Sequence, residues 1–141
     1  MSDLSSLPVK RLSPTAKLPN KAYFSDAGFD LFSNETSNLK PVSRSMIKTG
    51  IALAIPNGHV GLIWDKSGLA SKSGITVLGG VIDAGYTGEI IVTLFNTSEV
   101  SVEITQGQKI AQILIQAIDQ VNLVEVSELN RGEQGFGSTG K

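Results

Sequence analysis

The chain has 141 residues, of which 40% are hydrophobic and 18% charged. This length and composition are typical of one globular domain, which can bury roughly two-thirds of its unfolded surface. The 12 Lys and Arg against 13 Asp and Glu leave a net charge of -1, so neither a nucleic acid nor a membrane surface is an expected partner. Cysteine is absent, which excludes disulfides and thiolate metal sites. Because no signal segment or membrane-length apolar run is visible, we expect a cytoplasmic protein.

Short β-type segments separated by turn residues occur along the whole chain and predict an all-β sandwich or barrel. The predicted strands cover residues 9–12, 47–55, 60–64, 75–78, 81–82, 88–95, 100–104, 109–118 and 121–126. Only residues 67–73, which end at Gly74, predict a helix. No repeat or linker divides the chain, so a single domain is expected.

One hairpin is predicted over residues 47–64. Its strands are residues 47–55 and 60–64, and the Pro-Asn-Gly sequence at residues 56–58 is a strong turn signal between them. His59 follows this turn directly, so we expect its side chain to be solvated and not catalytic.

A second hairpin is predicted around the Gly79-Gly80 pair, because glycine adopts positive φ at little cost. Its backbone groups would line a narrow pocket with Asp83 and Tyr86 at the mouth. Fixed main-chain donors and acceptors can read the edge of a flat base, and a carboxylate in reach of water can act as a general base. Taken alone, however, Asp83 is more simply a turn aspartate, and Tyr86 a half-buried tyrosine of the barrel.

The last segment, residues 131–141, contains four glycines and one large apolar side chain. Such a composition buries too little surface to order itself, so a mobile arm is expected. Its guanidinium, aromatic ring, hydroxyls and backbone N–H groups would suit a flat, phosphorylated ligand. A flexible terminus without a role is the alternative.

Five motifs occur in order along the chain. They are Ala-Gly-Phe-Asp-Leu at residues 27–31, Ser-Gly-Leu-Ala through Gly-Ile at 67–75, Gly-Val-Ile-Asp-Ala-Gly-Tyr-Thr-Gly-Glu-Ile at 80–90, Gly-Gln-Lys-Ile-Ala-Gln at 107–112, and Arg-Gly with Gly-Phe-Gly-Ser-Thr-Gly at 131–140. In sequence and order they resemble the motifs of the trimeric dUTP diphosphatases (dUTPases), over about residues 9 to 140.

The resemblance implies a distorted jelly-roll β-barrel with one short helix, which forms a homotrimer. Residues 1–7 would be disordered, residues 8–126 would form the barrel, and residues 127–141 would be a mobile arm. The implied activity is the Mg²⁺-dependent hydrolysis of dUTP to dUMP and pyrophosphate, which keeps uracil out of DNA and supplies dUMP for thymidylate synthesis.

The resemblance also implies a role for each motif. Asp83 would position and deprotonate the water that attacks the α-phosphorus. Contacts to uracil and deoxyribose would come from Val77, Gly80, Ile82, Tyr86 and Phe136. Contacts to the phosphates would come from Lys66, Ser67, Gly68, Gln112, Arg131, Gly137, Ser138 and Thr139. Asp30 would contact Mg²⁺ through water, while the ion is held mainly by substrate phosphates.

In the implied trimer, each site takes residues from three subunits. Asp30, Ser67 and Gln112 would come from one subunit, Asp83 and Tyr86 from a second, and the arm from a third. Closed cyclic symmetry is compatible with such sharing.

Some of these positions also have purely structural interpretations. Ser67 could cap the short helix without binding a ligand, and Gln112 could pair with backbone. The family's second motif usually begins Pro-Arg, whereas this chain has Asp65-Lys66. Lysine keeps the positive charge but lacks the planar bidentate grip of arginine. Asp65 adds a negative charge that is unfavourable near phosphates unless it points away or meets a cation.

Three alternatives remain open from the sequence. One is a viral coat-like jelly roll, which would share only the fold and would not use the chemistry of residues 131–141. A dCTP deaminase of the same superfamily would carry a catalytic glutamate where this chain has Thr93. The third alternative is a non-catalytic nucleotide-binding barrel, which would not need the combination of Asp83 and Phe136.

Overall fold

The computed structural model describes residues 4–130. Within them lie ten strands and one helix. In chain order these are β1 (Val9–Arg11), β2 (Phe29–Phe32), β3 (Ser37–Leu39), β4 (Ser43–Leu53), β5 (His59–Asp65), α1 (Ser67–Ser73), β6 (Ile75–Leu78), β7 (Val81–Ile82), β8 (Glu89–Asn96), β9 (Val102–Ile104) and β10 (Lys109–Ala117).

The strands form two four-stranded sheets and one two-stranded sheet. Sheet A has the order β1-β4-β8-β6, sheet B the order β2-β10-β5-β7, and β3 pairs with β9. Every pairing is antiparallel. This arrangement confirms the predicted all-β fold with one short helix, and two four-stranded sheets are typical of a jelly roll. No helix within residues 4–130 is long and apolar enough to cross a membrane.

The core lies between the sheets and follows the two-residue period of the strands. In β8, Ile90, Val92, Leu94 and Asn96 are buried, while the residues between them are partly exposed. Successive side chains of a strand point to opposite faces, so every second residue of β8 packs into the core. Asn96 is the one polar side chain of this inner row.

We expect Asn96→Ala to lower the free energy of unfolding by about 3 kcal/mol. The Asn96 amide nitrogen donates to the carbonyls of Leu39 and Val100, and its Oδ1 accepts from the Ser98 backbone. Alanine leaves these groups without their partner. Thermal unfolding measures the change as a Tm lower by roughly 10 °C. Asn38→Ala is the matched control, because it is the same substitution at an exposed position of β3 and should cost less than about 0.5 kcal/mol.

Both predicted hairpins are wrong in their pairing. β4 and β5 belong to different sheets, and so do β6 and β7. The turn glycines do have the expected geometry, with φ of 72° at Gly79 and 104° at Gly80. Each turn therefore carries the chain across from one sheet to the other, because the strands find their partners elsewhere in the chain.

Two further predictions are corrected at the ends of β5 and β10. His59 is buried, with 8% of its surface exposed, because it is the first residue of β5 and not part of a solvated turn. No strand covers residues 121–126, and the last strand ends at Ala117. Leu123 and Val124 are strongly exposed, so this apolar stretch does not pack into the barrel core.

Candidate active site

A cleft of about 580 Å³ opens between the two sheets at the ends of β5 and β6. We call it the inter-sheet cleft. It brings together residues from four of the sequence motifs, and its polar lining includes Asp65, Ser67, Thr76 and Gln112. The backbone around the Gly79-Gly80 turn forms the opposite wall. The cleft therefore holds predicted phosphate contacts and predicted base contacts together.

Asp65 connects the two walls of the inter-sheet cleft. One carboxylate oxygen accepts a 2.7 Å hydrogen bond from the Val77 backbone N–H, and the other accepts a 2.7 Å bond from the Thr76 hydroxyl. Asp65 therefore points away from the start of α1 and towards β6, which removes the expected conflict with a polyanion. The sequence flagged this residue as a departure from the family but did not indicate these partners.

Gln112 lies on β10 at the base of the cleft. Its amide nitrogen donates a 2.9 Å hydrogen bond to the Asp65 carbonyl, so the backbone pairing considered for it does occur. A Cβ on Gly28 would come within 2.8 Å of Gln112 Oε1. A larger residue at Gly28 would therefore displace the end of the Gln112 side chain.

Asp30, Lys66 and Lys109 form an ion-pair cluster beside the cleft. Lys66 Nζ lies 2.7 Å from Asp30 Oδ1, and Lys109 Nζ lies 3.3 Å from Asp30 Oδ2. The Asp30 side chain is only 10% exposed, whereas those of Lys66 and Lys109 are 30% and 54% exposed. The buried carboxylate thus orients two cations whose tips reach solvent. Lys109 was not among the predicted site residues, although it lies in the fourth motif.

α1 begins directly after Lys66, which occupies the N-cap position without a side-chain hydrogen bond. Ser67 is the first helical residue and is exposed, so it is not the capping serine that the structural interpretation required. Gly68 is exposed as well, and a Cβ there would meet nothing within 4 Å. The helix ends as predicted at Gly74, which adopts the left-handed conformation.

We expect Gly80→Ala to destabilise the protein by about 3 kcal/mol. The new Cβ would lie 2.7 Å from the Ile63 carbonyl oxygen at φ of 104°, which adds a backbone clash to left-handed strain. The matched control is Gly79→Ala, where φ is 72° but nothing lies within 4 Å. The control should cost only about 1 kcal/mol. Equal Tm losses for the two variants would show that the contact with Ile63 does not constrain the turn.

Asp83 lies elsewhere, in a separate cavity of about 260 Å³ that we call the Asp83 cavity. It follows β7, is exposed, and makes no side-chain hydrogen bond within residues 4–130. Buried His59 and the exposed Gln120 line the same cavity. A carboxylate with free lone pairs in such a place can accept a proton from a bound water.

Tyr86 stands on the same loop as Asp83, with 45% of its surface exposed. Its hydroxyl donates a 2.8 Å hydrogen bond to the Glu89 carbonyl, which fixes the ring over Gly88. The hydroxyl end of the ring is therefore held against residues 88–89. Ile82 precedes the loop and pairs with Gly61 in sheet B.

A single chain thus brings some predicted site residues together and keeps others apart. Ser67, Gln112, Val77 and Gly80 share the inter-sheet cleft, whereas Asp83 lines its own cavity. The remaining predicted contacts lie outside the described residues; they are Arg131, Phe136, Gly137, Ser138 and Thr139.

Thr93 occupies the middle of β8, where a deaminase would carry its glutamate. It alternates with the buried Val92 and Leu94, so its side chain points to the outer face of sheet A. Glu89 on the same strand accepts a hydrogen bond from the Gly50 N–H and is already engaged. Neither of these two β8 positions provides a free carboxylate.

The fold and the site together define a class of protein. The chain is an antiparallel two-sheet barrel that has a cleft of about 580 Å³ and, apart from it, an exposed carboxylate. The dUTPase family model matches residues 15–140. The chain belongs to the dUTPase family.

Relatives that carry a dUTPase name match the chain over nearly its full length. A deoxyuridine 5'-triphosphate nucleotidohydrolase from Clostridium tetani is 47% identical over 141 residues, covering 96% of this chain and 97% of the relative. One of the same name from Nocardia farcinica is 45% identical and covers 99% and 88% of the two chains. The structure of Staphylococcus bacteriophage 80alpha dUTPase with dUPNHPP has a TM-score of 0.91 at 35% identity, over 97% of this chain and 99% of that one.

A second solved structure concerns a metal. A point mutant of the dUTPase from phage phi11 of S. aureus, described with a structural Mg(II) ion, has a TM-score of 0.84 at 32% identity. It covers 88% of this chain and 98% of that chain.

Proposed function

We propose that this protein is a dUTP diphosphatase that hydrolyses dUTP to dUMP and pyrophosphate. The observation that carries the proposal is that the Asp83 carboxylate is free to bind water. This carboxylate is exposed and without a side-chain partner in the described part of the chain, directly after β7. We assign it as the catalytic carboxylate because the motif at residues 80–90 resembles the family's third motif, in a chain that belongs to that family.

In the proposed reaction, Asp83 accepts a hydrogen bond from a water molecule and then takes its proton. The water oxygen forms a new bond to the α-phosphorus of dUTP. The bond between the α-phosphorus and the oxygen that bridges it to the β-phosphorus breaks, and pyrophosphate leaves with that electron pair. General-base assistance of this kind contributes about 10²- to 10⁴-fold to the rate.

The Asp30 cluster and the start of α1 would bind the phosphates. The ammonium groups of Lys66 and Lys109 are held near each other by one buried carboxylate, which orders both for a multiply charged anion. Ser67 offers an exposed hydroxyl next to them. Since Lys66 lacks the arginine fork of the family's usual motif, a second cation such as Lys109 would supply part of the missing attraction.

The residues present fit a magnesium ion that is held mainly by the substrate. No group of three or more acidic or histidine side chains within residues 4–130 could hold a metal, and both oxygens of Asp30 face ammonium groups. Asp30 would therefore contact the ion only through water, which suits the tendency of Mg²⁺ to keep its hydration shell. When bound, the ion neutralises phosphate charge and supports the departure of pyrophosphate.

The complete site is proposed to form between copies of the chain in a homotrimer. The separation of Asp83 from the cleft that holds Ser67 and Gln112 supports this, because the two halves must meet around one substrate. The arm at residues 131–141 would close the site from a third copy, with Phe136 over the base and Arg131 on the phosphates. The cytoplasmic location predicted from the sequence remains a prediction.

Product analysis with four nucleotides tests the function. We expect the protein to release pyrophosphate from dUTP with Mg²⁺ present, with turnover of dCTP, dTTP and UTP lower by orders of magnitude. Ammonia should not form with any of them. Ammonia release from dCTP would instead identify a deaminase, and binding of dUTP without turnover of any nucleotide would identify a binding protein.

Lys66→Ala is expected to lower kcat/KM for dUTP about 10-fold, mainly through KM, because it removes a charged contact to phosphate. Lys72→Ala is the matched control, since this lysine is exposed in the last turn of α1 and should leave kcat/KM unchanged. An unchanged value for Lys66→Ala would mean that Lys66 only neutralises Asp30.

A further inference from the structure

We infer that Gly88 and Glu89 are positioning residues for sugar selectivity, because they hold the Tyr86 ring in one place and so prevent it from moving aside for a 2′-hydroxyl. The inference rests on the proposed function and deepens it. It concerns what fixes the ring, and not the contact between the ring and the sugar, which the family resemblance already implies.

Tyr86 is anchored at two points although much of it is exposed. Its hydroxyl donates a 2.8 Å hydrogen bond to the Glu89 carbonyl, and its backbone N–H donates to the Asp83 carbonyl at 3.2 Å. The residue is thus held at the tip of its ring and at its backbone, on the loop that carries the proposed base. Because 45% of Tyr86 is exposed, the ring would have room to swing outwards without the bond to Glu89.

The absence of a side chain at Gly88 allows the ring to lie where it does. A Cβ at this position would come within 2.8 Å of the Tyr86 hydroxyl oxygen and within 2.9 Å of the ring carbon Cζ. These distances are well below van der Waals contact, so a larger residue must displace the ring. Gly88 is not among the glycines with positive φ, so alanine at this position would act on the ring without adding left-handed backbone strain.

Glu89 is itself fixed through its side chain. The register of β4 against β8 shifts between Lys48 and Ala52, and such an irregularity leaves backbone groups without ladder partners. The Gly50 N–H lies in this interval and donates to the Glu89 carboxylate at 2.9 Å. This bond holds the first residue of β8, and with it the carbonyl that accepts the Tyr86 hydroxyl.

A fixed ring can discriminate between sugars, whereas a mobile ring cannot. UTP differs from dUTP only by the hydroxyl at C2′, which a closed pocket rejects by steric exclusion and by the loss of hydrogen bonds to water. A ring that tilts outwards makes room for this hydroxyl and leaves it in contact with water. In addition, the Tyr86 hydroxyl already donates to Glu89, so its proton is not available to a 2′-hydroxyl.

The ratio of kcat/KM for dUTP to kcat/KM for UTP, measured by pyrophosphate release, tests the inference. Gly88→Ala forces the ring from its place and should lower this ratio about 10-fold or more. Tyr86→Phe keeps the ring but loses the bond to Glu89, and should lower the ratio about 5-fold. Glu89→Ala should lower it as well, whereas Glu89→Gln should stay within about 2-fold of wild type, because its amide oxygen can still accept from the Gly50 N–H.

The ratio of dUTP to dCTP in the same variants separates positioning of the ring from general loosening of the loop, and it should not change. An equal fall in both ratios would overturn the inference, and so would a wild-type ratio of dUTP to UTP in a folded Gly88→Ala protein. If Gly88→Ala does not fold, Tyr86→Phe decides, because it adds no atom that could clash. An unchanged ratio in Tyr86→Phe would contradict the inference. Failure of the wild-type protein to hydrolyse dUTP would overturn the proposed function instead.

Discussion

Asp83→Asn is expected to lower kcat for dUTP about 10³-fold with little change in KM. Asparagine is nearly isosteric but cannot take a proton from water, so only general-base assistance is lost. The fold should be unaffected, because the side chain is exposed and makes no hydrogen bond within residues 4–130. Steady-state release of pyrophosphate measures the effect, and thermal unfolding verifies the unchanged Tm.

Glu103→Gln is the matched control for this change. It also converts an exposed carboxylate to an amide, but it lies on β9, outside the inter-sheet cleft and the Asp83 cavity. It should retain full activity. If Asp83→Asn kept wild-type kcat, Asp83 would not be the base, and the proposed assignment of the site would be wrong.

Removal of residues 131–141 is expected to abolish measurable turnover while leaving Tm within a few degrees of wild type. The deleted sequence contains Arg131, Phe136, Ser138 and Thr139, which we propose to bind phosphate and base and to exclude water when the substrate is enclosed. The last strand ends at Ala117, and most of residues 118–130 are exposed. The described core therefore does not depend on the deleted segment, and unfolding of the truncated protein would show that it is structural.

Mixing the two inactive proteins tests whether sites are shared. The truncated protein still carries Asp83, and Asp83→Asn still carries the arm. If the two elements of one site come from different subunits, an equal, randomly assorted mixture should regain about one quarter of wild-type activity, since each site has about one chance in two for each element. A mixture that stays inactive after verified subunit exchange would place both elements of a site on one chain.

Much of the fold can be predicted from local sequence, because its signals act over a few residues. α1 has the predicted bounds, since Gly74 ends it with a left-handed conformation that only glycine adopts cheaply. β8 follows from its run of apolar and β-branched residues. Strand partners were not predictable in this way. The turn at residues 56–58 reads as a hairpin, yet β4 and β5 lie in different sheets because their partners are distant in sequence.

The candidate site could likewise be predicted from the sequence only in part. The glycine of the third motif helps to locate the cleft, because Gly80 is needed where its backbone approaches the Ile63 carbonyl at positive φ. The direction in which Asp65 points depends on β6, which is brought beside it only by the tertiary fold. Burial of His59 likewise follows from its place in β5 and not from the adjacent turn.

Hydrolysis of dUTP in water enriched in ¹⁸O tests the central claim most directly. The proposed attack at the α-phosphorus places one ¹⁸O atom in dUMP and none in pyrophosphate, and mass spectrometry of the two products distinguishes them. Unlabelled dUMP together with labelled pyrophosphate would show attack at the β-phosphorus and contradict the proposed reaction.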